Sequence, residues 1–79
     1  MQSEVSNLAN KELEAANKAM EAKQFPEAAV KFLNVYNLVE ALGTKEEIYK
    51  YQAAICYYNA SDFDKSLAII KELAAKGFT

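Results

Sequence analysis

The sequence predicts an all-α fold built from two antiparallel helical hairpins stacked on each other, and three observations carry that prediction. Helix-forming residues dominate a chain of 79 residues that holds only two Gly and one Pro, so little interrupts helical backbone. Apolar residues recur at spacings of three and four along most of the length, the period of a one-sided helix. The chain also repeats itself at an offset of 38 residues. Phe25 falls on Phe63, Ala28 on Ser66, Ala29 on Leu67, Phe32 on Ile70 and Val35 on Leu73. Upstream, Ala15 and Ala16 fall on Ala53 and Ala54, and Met20 on Tyr58. A period of roughly 20–50 residues marks architectures in which one supersecondary unit is stacked to build a shared core.

Four helices follow from the punctuation. The first is expected to start near Ser3 or Ser6, either of which can cap it, and to run to about Lys23. Leu8, Ala9, Leu13, Ala16, Ala19 and Met20 form its apolar face. A turn at Gln24-Phe25 precedes Pro26, which suits the first turn of a helix because its missing N–H has no partner there anyway. Glu27 complements the helix dipole. The second helix carries Ala28, Ala29, Phe32, Val35, Tyr36 and Val39, and ends by Leu42 because Gly43 can take the left-handed conformation that closes a helix. Thr44 and Glu47 have the spacing of a capping box. The third helix runs through Ile48, Tyr51, Ile55 and Tyr58 to about Ala60. Ser61-Asp62-Phe63-Asp64 makes the second hairpin turn with an acidic cap. The fourth helix presents Leu67, Ile70, Leu73 and Ala74 and stops at Lys76-Gly77, where Phe78 is placed for the apolar contact that seals a glycine helix end. Ser66 stands where the first hairpin has Ala28, and its hydroxyl is expected to bond back to the preceding turn. Connections this short force neighbouring helices to run antiparallel.

Composition excludes several classes of function. Hydrophobic residues make up 52% of the chain, yet fourteen of them are Ala, so the core must come from close helix approach rather than from large side chains. Residues 1–40 carry four Lys and six acids, and residues 41–79 carry five of each, for a net charge of −2 without a single Arg. No basic field exists to attract nucleic acid or anionic lipid. No apolar run is long enough for a membrane span, and the start lacks the basic and apolar regions of a secretory signal. A cytoplasmic chain, or a mature fragment of an exported protein, is therefore expected. Cys56 is the sole cysteine; in its apolar setting it reads as a buried structural thiol. With no His, no Gly-rich phosphate loop and no activated nucleophile, the sequence predicts neither an enzyme nor a cofactor or metal site.

The run Ala16-x2-Ala19-x5-Phe25-x2-Ala28-x3-Phe32-x2-Val35 resembles a tetratricopeptide repeat, and Ala54-x2-Tyr57-x5-Phe63-x2-Ser66-x3-Ile70-x2-Leu73 resembles a second copy in register. The likeness covers residues 9–79, with repeat one at 9–42, an insert at 43–46 and repeat two at 47–79. A usual repeat is about 34 residues, so four are extra. The small residue of the first helix is Ala rather than Gly in both copies, and the closing Pro is missing. The resemblance implies a short right-handed α-solenoid forming a single domain, a fragment of a longer repeat protein, and a non-catalytic role in binding a protein or peptide.

It also implies a concave groove lined by the first helix of each hairpin. The groove residues would be Leu13, Asn17, Met20 and Glu21 from the first, and Ile48, Tyr51, Ile55, Tyr58 and Asn59 from the second. Leu13 and Ile55 are better placed to pack between the hairpins than to face a ligand. Asn17 matches one residue of the carboxylate clamp found in some family members, but Leu13 and Gln52 stand where a Lys and a second Asn belong, which argues against that ligand. Two repeats leave a flank uncovered, so a homodimer through exposed flanks is the alternative expectation.

Overall fold

The computed structural model describes residues 2–44 and 46–77. Four helices account for most of them: α1 (Gln2–Glu21), α2 (Phe25–Ala41), α3 (Glu47–Asn59) and α4 (Phe63–Ala75). Each packs on the next in chain order, α1 on α2, α2 on α3 and α3 on α4, as stacked antiparallel hairpins require. The shortest dimension of the molecule is 15 Å, the thickness of two helices packed at their usual 8–10 Å separation.

Both hairpins turn by one device. Lys23 and Ser61 are non-glycine residues in the left-handed region, at φ 61° and 64°. The N–H of Lys23 donates to Met20 O (3.0 Å) and that of Gln24 to Ala19 O (2.8 Å); Ser61 donates to Tyr58 O (3.0 Å) and Asp62 to Tyr57 O (2.9 Å). These paired returning bonds satisfy the last carbonyls of one helix. Gln24 and Asp62 are then the N-caps of α2 and α4. The Asp62 carboxylate accepts from Lys65 N at 3.5 Å. The exit from α2 uses the same pattern with Gly43 at φ 92°.

Several local expectations are corrected. Ser3 and Ser6 lie inside α1, which already begins at Gln2. The Thr44–Glu47 capping box does not form. Glu46 is the N-cap of α3 and makes no side-chain cap bond, because Glu47 is drawn instead toward Tyr36 and Lys76. Ser66 does not bond to its own preceding turn; its hydroxyl donates across the hairpin to Ala54 O at 2.9 Å. Counted from Phe25 and Phe63, α2 is 17 residues long and α4 is 13. α2 is thus longer than its counterpart α4, and residues 42–46 connect it to α3. The Phe78 contact lies outside the described residues.

The core is small side chains at helix crossings with a few large ones between them. Ala16 and Ala28 are fully buried where α1 meets α2, and Ala54 lies opposite Ser66 where α3 meets α4. Ala29, Phe32, Ala53, Cys56 and Tyr57 close the seam between hairpins, with Leu13, Met20, Phe25, Leu33, Tyr49 and Ile69 packed around it. Val35 and Leu73, one in each hairpin, are the largest side chains fully enclosed besides Cys56.

Candidate partner-binding face

The helical period sets Tyr51, Ile55 and Tyr58 on one face of α3, at spacings of four and three. On α4 the same period aligns Phe63, Ser66, Leu67 and Ile70. The two rows flank a cleft. One part, about 190 Å³, is lined by Tyr51, Ala54, Ile55, Tyr58, Ser66 and Ile70. A second part, about 280 Å³, is lined by Tyr58, Phe63, Ser66, Leu67 and Ile70. They share Tyr58, Ser66 and Ile70, so the face is continuous across both helices. Tyr58 is 63% exposed and meets Phe63 edge-to-face, with ring centroids 5.3 Å apart. That geometry suits the ring quadrupoles and fixes the rim of the cleft at the hairpin turn. The Ser66 proton is committed to Ala54 O, so the floor presents an apolar surface.

Of the nine residues expected to line a groove, three line this cleft, Tyr51, Ile55 and Tyr58. Leu13 packs against the core of the seam, as its preferred reading had it, and so does Met20. Asn17, Glu21, Ile48 and Asn59 are exposed, and none of them lines the cleft. Phe63, Leu67 and Ile70 join the face although the sequence placed Phe63 in the hairpin turn and Leu67 and Ile70 on the apolar row of the fourth helix. Their signal was present in the repeat register, since nothing among the described residues follows α4 to cover what α3 covers on α2.

A polar cluster ties the opposite edge of α2, α3 and α4 together. The Tyr36 hydroxyl donates to Glu47 Oε1 at 3.3 Å, and Lys76 Nζ lies 3.6 Å from the same oxygen and 3.3 Å from Glu72 Oε2. Lys50 pairs with Glu72, and its ammonium sits 4.7 Å from the centroid of the Tyr36 ring. The hydrogen bond from Lys50 holds the Glu72 carboxyl below the ordinary carboxylate range. Burial, reinforced by Glu47, pushes the Tyr36 hydroxyl up. This arrangement pins three helices in register.

Cys56 is fully buried in the seam, and desolvation raises its thiol pKa, the setting of a structural rather than a reactive thiol. Among the described residues, no group of three or more His, Cys, Asp or Glu side chains is placed to hold a metal ion. No helix is long and apolar enough to cross a membrane. Comparison of the chain with protein-family models, with curated proteins and with solved structures finds no match.

Proposed function

We propose that this chain is a non-catalytic protein-interaction module of the tetratricopeptide-repeat type, and that its binding surface is the α3–α4 face. The observation that carries this reading is the concentration of exposed large apolar side chains there. Tyr51, Tyr58, Phe63, Leu67 and Ile70 are all exposed on one continuous surface. Contiguous exposed apolar surface of a few hundred Å² marks interaction sites on soluble chains. Tyr rings are frequent anchors, since they bury large area with few rotors while the hydroxyl still finds a partner.

The test is selection of a displayed random-peptide library on the full chain, followed by Tyr51→Ala and Tyr58→Ala. Both residues are exposed, so the variants retain the helical circular-dichroism signal while binding of the selected peptides falls at least tenfold. Peptides that bind both variants as tightly as the parent would remove the face from consideration. A second reading is a homodimer, which would cover the same exposed face. Light scattering across a concentration series decides it, because a dimer's mass rises with concentration and a monomer's does not.

A further inference from the structure

The internal repeat supplies a standard against which the exposed face can be compared. Shifted by the repeat offset, Leu13, Met20, Phe25, Ala29 and Phe32 become Tyr51, Tyr58, Phe63, Leu67 and Ile70. In the first hairpin these positions are covered. Ala29 is 0% and Phe32 2% exposed, and Leu13, Met20 and Phe25 pack against the core. In the second hairpin the counterparts are open, with Leu67 52% and Ile70 39% exposed. The floors correspond as well, since Ala16 and Ala28 become Ala54 and Ser66, all four buried. The exposed face is therefore the same receiving surface twice, occupied once and bare once.

What packs on it in the first hairpin is chiefly α3, which lies against α2, with Ile69 of α4 beside the same cluster. α3 lays down the stripe Tyr49, Ala53, Cys56 and Tyr57, small residues bracketed by aromatics at positions i, i+4, i+7 and i+8. Resting on the reading of this face as a binding surface, we infer that its occupant is one amphipathic helix of a partner protein carrying such a stripe, seated between α3 and α4 as α3 is seated on the first hairpin. Small residues along the stripe admit the helix to the cleft, and the flanking aromatics pack on Tyr51, Tyr58 and Leu67.

A second copy of this chain fits less well. Its α3 stripe is buried in its own seam. The matching positions of α1 are Lys11, Ala15, Lys18 and Ala19, and the outer side of that hairpin also carries Glu27 and Lys31. Head-to-tail stacking would press these charges onto an apolar cleft, which is costly without partners. Face-to-face pairing would oppose groove to groove and bring no ridge to fill either.

The test titrates the ¹⁵N-labelled full chain with a synthetic peptide copying residues 46–60, its cysteine replaced by Ala, and with a control peptide that also carries Ala53→Glu. Saturable amide shifts centred on Tyr51, Tyr58, Phe63, Leu67 and Ile70, at least tenfold weaker for the control and abolished by Leu67→Glu in the protein, are expected. Equal response to both peptides, or none at about millimolar peptide, where affinity is only about 4 kcal/mol, overturns the helix as occupant. Shifts confined to Leu13, Met20 and Phe32 overturn it too, since they report exchange with the chain's own α3. Shifts at the α4 face that depend on protein concentration without peptide assign the face to a second copy. If library peptides still require Tyr58 while the stripe peptide fails, the binding face stands and only the helical partner falls.

Discussion

One substitution on each of the two equivalent faces tests whether the α1–α2 surface is a closed seat and the α3–α4 surface an open one. Ala29 is fully buried beneath α3, whereas its counterpart Leu67 is half in water. Ala29→Leu forces three further carbons into a seat with no room, and overpacking of this kind costs about 1–3 kcal/mol. A chain of 79 residues at about 0.05–0.15 kcal/mol per residue has roughly 4–12 kcal/mol in total, so the substitution removes a substantial share. At about 4–8 °C per kcal/mol for a domain of this size, Tm falls by roughly 4–24 °C. Leu67→Ala removes a side chain that encloses nothing and leaves no cavity, so its cost is about 1 kcal/mol or less. Thermal and urea melts followed by circular dichroism at 222 nm read both variants against the parent. The reasoning is wrong if Ala29→Leu melts within about 2 °C of the parent, or if Leu67→Ala costs as much as Ala29→Leu.

Two further predictions concern the polar edge and the turns. Because the Lys50 bond depresses the Glu72 pKa, the stability this carboxylate adds is complete above the unfolded value of about 4.3 and is lost as pH falls through the lower folded value. Glu72 is 43% exposed, so screening keeps the contribution under about 1 kcal/mol; the urea midpoint should drop more between about pH 6 and about pH 3 in the parent than in Glu72→Gln, and equal drops would contradict the pairing. At Lys23 and Ser61 the left-handed backbone strains a residue bearing a Cβ, by about 1 kcal/mol or more. Glycine relieves that strain but adds unfolded-state entropy, so Lys23→Gly and Ser61→Gly should each stabilise by about 0.5 kcal/mol; a lower melting temperature in either would show that its side chain holds the turn together.

The helices were legible because their signals are local. The Gly43 and Gly77 stops, Pro26 in a first turn, and Ala at each crossing all act within a few residues, and all fix elements where the structure has them. Lys23 and Ser61 were less legible as turn-makers, since nothing in a Lys or Ser announces a positive φ; the paired backbone bonds of the hairpin impose it. Competition between partners explains the failed capping box. Glu47 is spaced to cap its own helix, but the Tyr36 hydroxyl and Lys76 ammonium reach it across helices that are distant in sequence. The groove was half legible for a similar reason. Tyr51 and Tyr58 follow from the tetratricopeptide resemblance and Leu13 reads as packing between the hairpins, but whether Met20 faces out or into the seam depends on how the second hairpin leans, which no local pattern encodes. Helical spacing alone also made Leu67 and Ile70 look like core. Only the absence of a covering helix among the described residues makes them surface.

The two flanks of the molecule differ in a way that gives hairpin stacking a direction. Each hairpin has a side that presents a stripe and a side that receives one, and the seam between them joins the α3 stripe to the α1–α2 face. On the outer side of the first hairpin the stripe positions hold Lys11 and Lys18 beside Ala15 and Ala19, a surface that water already satisfies. On the outer side of the second hairpin the receiving positions hold Tyr58, Phe63, Leu67 and Ile70, apolar and open. Hydrophobic burial is non-directional in itself, so the direction comes from charge. A Lys at a stripe position penalises seating by leaving an ammonium against carbon, while an Ala or Cys there costs nothing. Stripe composition therefore discriminates among candidate helices more sharply than total hydrophobicity does. A strongly hydrophobic helix without small residues at i+4 and i+7 would be too thick for a cleft whose floor is Ala54 and Ser66. A helix with those small residues but a charge beside them would be rejected by desolvation. Ala53→Glu in the peptide combines both effects, since it enlarges and charges one small stripe position while leaving the aromatic anchors in place.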